Sequence, residues 1–455
     1  MKHVVSLRML ITFVIGAFGF SVVYGNEKPG SDEKVRVPVI NLTPWFDATA
    51  VSLSSSLEKH HRDTKNTTLS LGSLTEEQLD IVNQIRRACR EVGFFQIIGG
   101  LDSNDDNDKN VDDAMIQQTW KASREFFGLS IEEKLLHRTI DTAKYPYGYE
   151  RSETLVRGKL LDGEDKDGSK GEVSPSVVAA DLKETFAVGP PTGNGSGMPP
   201  RRWIESANVS PGFQTSLEAY YERMEELALV LLQIFAIALE EPPDFFENKM
   251  DHHMAALRLV HYYPLEKDAQ SNTNKLSHDQ GKPEPIARTR VVRAGAHTDY
   301  GALTILAAQD EGLEVLLQDT TVAASDGYME GEDDDSNKKN KTRWYPVPLI
   351  PGAFVVNLGD LMQRWTNNEW VSTMHRVIMP STEAQERRYS IAYFVNINGD
   401  TPIEPLKCCR GQERDGDGRV ITAGEHLMAK HLASMGITAD SDNAEAVSSS
   451  WVGEL

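Results

Sequence analysis

Cysteine is scarce in this chain: three thiols in 455 residues, Cys89, Cys408 and Cys409. Two are adjacent and the third sits in an amphipathic helical pattern. No disulfide framework is available, and ordinary buried or surface thiols are expected. Basic charge is also in deficit. Lys and Arg number 47 against 68 Asp and Glu, for a net charge of -21. That balance excludes non-specific nucleic-acid binding, which needs a cationic footprint. It favours solubility and says nothing of fold. The uncharged, mostly apolar stretch Met9 to Val23 is short for a membrane span, which needs about 20 residues.

That stretch follows a short basic start (Lys2, His3, Arg8) and ends at Val23-Tyr24-Gly25. It reads as a signal peptide over residues 1–25, with a polar leader at 26–36. The expected location is the secretory pathway, in the ER lumen or outside the cell. A retained membrane anchor and an organelle address are the alternatives. Sequons at Asn41, Asn66, Asn194, Asn208 and Asn340 matter only on the secretory route. Pro211 directly after Ser210 weakens the one at Asn208.

Periodicity divides the rest. Val37 to Leu42 reads as a short strand. Thr75 to Val92 reads as a helix, with Leu79, Val82, Ile85, Ala88 and Cys89 as its apolar stripe and Gly93 as its stop. Phe94 to Ile98 reads as a buried strand, Val111 to Phe127 as a helix, and Ser130 as the N-cap of another. Gly193-Asn194-Gly195-Ser196-Gly197 is not followed by Gly-Lys-Ser/Thr. A flexible surface loop is therefore expected there, not a phosphate loop. Phe213 to Leu239 is the longest helical pattern, with a stripe that packs on a core.

From Ala255 on, strand signals dominate: Ala256 to Tyr263, Arg290 to Leu306, Leu313 to Leu317, Trp344 to Val347, Ala353 to Leu358, Trp370 to Ile378 and Tyr389 to Val395. Many short strands broken by Gly, Pro and Asp turns predict a sandwich or jelly roll. The charged run Thr320 to Thr342 looks like an enlarged hairpin loop. A closing helix is expected over Thr422 to Ala433. The divisions are an N-terminal helical and strand region at 37–250, a core at 251–405 with the insertion 320–342, and a C-terminal helix and tail at 406–455. Glu413 to Gly418 has calcium-loop elements in the wrong register, and a polar turn is the better reading.

The chemistry centres on Ala296-His297-Thr298-Asp299-Tyr300-Gly301. On a strand, His297 and Asp299 would point the same way. His375 follows on a later strand pattern. Two His and one carboxylate, with coordination positions left open, form the ligand set of non-haem Fe(II) oxygenases. Arg388 and Ser390 would share a strand face. A guanidinium fork with a neighbouring hydroxyl suits the distal carboxylate of 2-oxoglutarate.

Taken in order, several segments resemble the isopenicillin N synthase-like family of 2-oxoglutarate/Fe(II)-dependent dioxygenases. They are Val37 to Leu42, Ala88 to Phe95, Asp181 to Phe186, Leu257 to Pro264, the His-Thr-Asp segment, Val356 to Asp360, Ser372 to Val377 and Arg388-Tyr389-Ser390. The resemblance runs from about Val37 to Leu432. It implies a mainly β fold with flanking helices, a distorted double-stranded β-helix. It implies His297, Asp299 and His375 as Fe(II) ligands. It further implies 2-oxoglutarate on Arg388 and Ser390 with help from Tyr263, O₂ as oxidant, ascorbate as a candidate accessory reductant, and a small-molecule substrate. His261 stands where many plant members have Asn. Alternatives are a 2-oxoglutarate-independent oxidase of the same fold, a non-catalytic metal-binding relative, and a Zn hydrolase, which would have no use for Arg388 and Ser390.

Overall fold

The computed structural model describes residues 37–46, 74–99, 106–138, 147–151, 183–204, 208–263, 292–318, 342–379, 387–409 and 420–434. All lie in one unit, Val35–Leu455. The expected signal and leader, the insertion up to residue 341, the sequons at Asn66 and Asn340, and the Glu413 to Gly418 turn fall outside the described residues. Among those described, no helix is long and apolar enough to cross a membrane.

Fourteen strands alternate with helices among the described residues. They are β1 (Val39–Asn41), β2 (Phe94–Ile98), β3 (Gly148–Arg151), β4 (Lys183–Val188), β5 (Ala256–Tyr262), β6 (Val292–His297), β7 (Leu303–Ala308), β8 (Leu313–Gln318), β9 (Thr342–Pro346), β10 (Phe354–Leu358), β11 (His375–Ile378), β12 (Arg388–Val395), β13 (Pro402–Ile403) and β14 (Ile421–Thr422). The larger sheet has the order β1-β2-β10-β7-β12-β5-β4-β3, and a smaller one the order β6-β11-β8-β9. From β5 to β12 the chain passes repeatedly from one sheet to the other. That is the winding of a double-stranded β-helix, and the jelly-roll expectation holds.

Strand alternation sorts side chains between two cores. On β5, Leu257 and Leu259 face outward into the large cluster shared with the helices. Val260 and Tyr262 face inward, with Val315 and Val377 of the smaller sheet. The outer cluster is covered by α4 (Phe213–Ala238), whose Leu217, Tyr221, Met224, Leu231 and Phe235 are buried. Burying side chains of this size contributes roughly 1.5–3 kcal/mol each, before the entropy cost of ordering them.

Helix ends follow their sequence signals. α1 (Glu76–Glu91) starts at a Thr75/Gln78 capping box, which satisfies two otherwise orphaned amides. It stops at Gly93, whose φ of +68 suits glycine and whose added Cβ would overlap the Val371 carbonyl. α2 (Asp106–Phe127) begins earlier than its apolar period suggests. α3 (Ile131–Leu135) has a Ser130/Glu133 capping box. The short α5 (Asp360–Trp365) and the closing α6 (Ala423–Ser434) follow. The Gly193–Gly197 segment is a turn pinned by a side chain. Asn194 donates to the His253 carbonyl (3.0 Å) and accepts from the Ser196 amide (3.0 Å).

Candidate metal centre and its cavity

The stretch expected as one strand from Arg290 to Leu306 is broken in two. β6 ends at His297 and β7 begins at Leu303. Asp299 therefore sits in the crossing between the sheets, not two positions along a strand. Gly301 makes this crossing possible, because a Cβ there would overlap Asn396 Oδ1 and crowd the Val395 carbonyl. Gly359 packs on the Gly301 backbone in the same way. His375 opens β11, since only the last four residues of the Trp370 to Ile378 pattern are strand. It pairs directly with His297.

The three side chains converge. His375 Nε2 lies 3.7 Å and His297 Nε2 3.9 Å from Asp299 Oδ1. Among the described residues this is the group of His, Cys, Asp and Glu able to hold a metal ion, its ligand atoms all within 4.8 Å of one another. The surroundings orient each group. His297 Nδ1 meets the Gly295 carbonyl at 2.8 Å, and His375 Nδ1 meets the Thr373 carbonyl at 3.1 Å. A proton held at Nδ1 leaves the Nε2 lone pair for a metal. Asp299 Oδ2 accepts from Thr304 Oγ1 (2.5 Å) and Asn357 Nδ2 (2.7 Å). Its Oδ1 is thus left facing the imidazoles. Burial and the second imidazole push His297 down to about 3, so it is neutral and ready to ligate. Burial acts to raise Asp299, but His375, His297 and the two hydrogen bonds hold its carboxyl below the usual range. A neutral His297 imidazole and an ionised Asp299 carboxylate are in the protonation states that metal binding requires.

A cavity of about 660 Å³ opens over these three groups. Arg388 and Ser390 both line it, as their shared strand face predicts. Arg388 is buried, and its Nε donates to the Glu311 carbonyl at 3.1 Å. Both of its Nη atoms are buried without a partner among the described residues. A buried fork with two unused donor nitrogens fits a carboxylate. Lys183, Tyr262 and Arg388 form one cross-strand row, and the Arg388 guanidinium lies 4.9 Å from the Tyr262 ring.

The tyrosine expectation shifts by one residue. Tyr262 lines the cavity, whereas Tyr263 meets Tyr149 and Glu184. A one-residue slip along a strand moves a side chain to the other face. His261 is likewise outside the cavity. Its Nδ1 lies 2.7 Å from Glu184, which also takes Lys134 (2.9 Å) and Tyr149 (2.6 Å). His261 stacks on Tyr389, between Arg388 and Ser390, with ring centres 4.7 Å apart. Thr304, Asn357, Tyr262, Lys183 and Arg258 join the site from the structure alone. Asn357 lies in the quoted Val356 to Asp360 segment, and the alternation of β5 already separates Arg258 from Leu257 and Leu259.

The 2OG-Fe(II) oxygenase superfamily matches residues 255–397. The N-terminal family described as non-haem dioxygenase in morphine synthesis matches residues 67–206. A 2-oxoglutarate-dependent dioxygenase of Didymella fabae is 30% identical over 362 residues, covering 77% of this chain and 89% of the relative.

The chain belongs to the 2-oxoglutarate/Fe(II) oxygenase superfamily.

Other relatives of this oxygenase include a homoarginine-6-hydroxylase of Arabidopsis thaliana, 27% identical, covering 77% of this chain and 88% of the relative. A clavatol oxidase of Penicillium crustosum is 28% identical, with 79% and 91% covered. The fold is shared with a full-length Neurospora crassa protein solved in complex with alpha-KG. That structure has a TM-score of 0.59 at 21% identity, over 87% of this chain and 96% of that one. A Caulobacter crescentus 2OG-Fe(II) oxygenase family protein has a TM-score of 0.55 at 24% identity, over 80% and 98%. The oxygenase is a 2-oxoglutarate-dependent dioxygenase, and the Zn-hydrolase alternative falls away with that membership.

Proposed function

We propose that His297, Asp299 and His375 hold Fe(II), and that Arg388, Ser390 and Tyr262 seat 2-oxoglutarate for oxidation of a small organic substrate. The observation that carries this reading is the pair of unused Nη donors of buried Arg388, in the same cavity as three oriented ligand atoms. When bound, iron, 2-oxoglutarate and O₂ supply the redox chemistry: oxidative decarboxylation to succinate and CO₂, coupled to hydroxylation, desaturation or ring closure. The protein's own share is positioning and protonation. Thr304 and Asn357 fix the Asp299 carboxylate. The Gly295 and Thr373 carbonyls fix the imidazole tautomers. Lys183 and Arg388 make one end of the cavity cationic, where a dicarboxylate is favoured over a neutral molecule. Apolar walls from Phe94, Leu306 and Leu313 exclude water, which strengthens each of these interactions.

The test is anaerobic. Fe(II) and then 2-oxoglutarate are added, and a weak visible charge-transfer band is expected. Asp299→Ala should remove both the band and Fe(II)-dependent succinate release; full turnover by that variant would overturn the assignment. Fe(II) binding with no band on addition of 2-oxoglutarate would favour the 2-oxoglutarate-independent oxidase. Ascorbate enters this proposal only as an accessory reductant, tested by its effect on turnover number. Secretory targeting by Met1 to Gly25 is proposed on sequence grounds and is tested by N-terminal sequencing of protein made in its own cells.

A further inference from the structure

We propose that Glu184 and His261 are positioning residues for the cosubstrate: with Tyr389 they clamp the strand ends that carry Tyr262 and Arg388. The inference rests on the reading of Arg388 as the seat of 2-oxoglutarate and adds what holds that seat in place. Three strands stop together here. Lys183 is the first residue of β4, Tyr262 the last of β5 and Arg388 the first of β12. They pair across the sheet, and all three line the cavity. The row that seats the cosubstrate is therefore terminal, where a ladder opens most easily.

Glu184, His261 and Tyr389 form the neighbouring row, one residue further in. Alternation turns that row to the opposite face. The start of β12 is also supported from one side. Its pairing with β5 begins at Arg388, but its pairing with β7 begins only at Ser390. Among the described residues, Arg388 and Tyr389 thus have ladder partners in β5 alone. What β7 does not supply, the outer row does. The His261 and Tyr389 rings stack at 4.7 Å with their planes 21° apart, and the Phe127 ring of α2 packs 5.3 Å from His261.

Glu184 ties the stack to the rest of the fold. Its Oε1 lies 2.7 Å from His261 Nδ1, and its Oε2 accepts from Lys134 of α3 and Tyr149 of β3. Burial acts to raise Glu184, but His261, Tyr149 and Lys134 hold its carboxyl below the usual range. The clamp therefore has an ionised centre, satisfied from a helix and two strands. Tyr389 stands between Arg388 and Ser390, so holding its ring holds the backbone on which both are mounted. A shift of the first residues of β12 would carry the Arg388 fork off the cosubstrate carboxylate. The metal ligands would stay in place, because the imidazoles belong to the smaller sheet and Asp299 is held by Thr304 and Asn357.

The experiment uses full-length protein without oxygen. Fe(II)-loaded protein is titrated with 2-oxoglutarate, and half-saturation of the charge-transfer band is read; metal affinity is measured separately with Co(II) and no cosubstrate. His261→Leu removes both the stack and the bond to Glu184. It should raise half-saturation about tenfold or more, the scale on which outer partners act at a site, and leave Co(II) affinity unchanged. His261→Gln keeps a donor for Glu184 and should recover part of the loss. In an Arg388→Gln background, His261→Leu should add little, because a residue that acts through the fork then has nothing to position. A purely structural role would weaken both ligands together. Melting curves check folding; should His261→Leu not fold, Tyr389→Leu removes the stack at a partly exposed side chain and should show the same pattern. Unchanged half-saturation in a folded variant, Co(II) affinity falling in step with it, or losses that add fully to those of Arg388→Gln would each overturn the inference. Failure of the broader reading is seen separately, as absence of the Fe(II)/2-oxoglutarate band in wild-type protein.

Discussion

The side-chain amide of Asn357 donates to Asp299 Oδ2 at 2.7 Å, joining residues 58 positions apart in the chain. Asn357 belongs to β10 of the large sheet, and Asp299 to the crossing that leads into it. The bond leaves the other carboxylate oxygen to the imidazoles. Outer partners of this kind typically matter 10–100-fold. Asn357→Leu should therefore weaken Co(II) or Fe(II) binding by about one to two orders of magnitude, as read by anaerobic titration. Wild-type affinity in this variant would show that Asp299 needs no such anchor.

Arg388→Gln should raise the apparent KM for 2-oxoglutarate by about 30-fold or more, because truncating a buried charge leaves its partner unpaired. Metal affinity without cosubstrate should stay unchanged. Arg388→Lys should recover only part of the loss, since an ammonium cannot present the two-pronged donor. An unchanged KM in both variants would move the cosubstrate elsewhere.

Glu184 is 1% exposed and joins Lys134, His261 and Tyr149 behind the sheet. Glu184→Ala strands a buried ammonium and should cost about 3–5 kcal/mol of stability. Urea denaturation measures it. A cost below about 1 kcal/mol, the scale of a surface pair, would mean that the cluster is effectively hydrated.

Burial, followed by the nearby charge of Lys430, holds His426 down to about 4, with Asp360 opposing. The unfolded histidine titrates near 6.5. Between these values the unfolded chain binds more protons, so stability falls as pH drops through that window and is fully present above it. The melting temperature of metal-free protein should decline from pH 6.5 toward 4, and His426→Gln should flatten that decline. Parallel curves for the two proteins would remove His426 from the linkage.

Gly359→Ala places a methyl on the Gly301 carbonyl. The expected cost is about 1–3 kcal/mol, together with weaker metal binding as the crossing is displaced. Chemical denaturation and metal titration on the same sample separate the two effects.

Much of the site is legible in the sequence because its chemistry is dense there. His297 and Asp299 are two residues apart, and Arg388 and Ser390 share a strand face that lines the cavity. The convergence of His297 and Asp299 has a different cause from the one alternation suggests. A glycine-dependent crossing brings them together, and a crowded backbone leaves no periodic mark. β4 leaves no such mark either, because all six of its residues are buried. A strand covered on both faces shows no alternation, and its pairing to β5 is long-range. That Tyr262 lines the cavity, beside the expected Tyr263, was not legible for a finer reason: adjacent identical residues offer no basis for choosing a face until the register is known.

Both histidines hang from the small sheet, while the aspartate is moored to the large one through Thr304 and Asn357. An ion gripped by all three would therefore act as a rivet at the rim of the barrel, locking wall to wall. Loading the cation should slow amide exchange on β6, β7, β10 and β11 together, so that the tool of the reaction is also the fastener of its vessel.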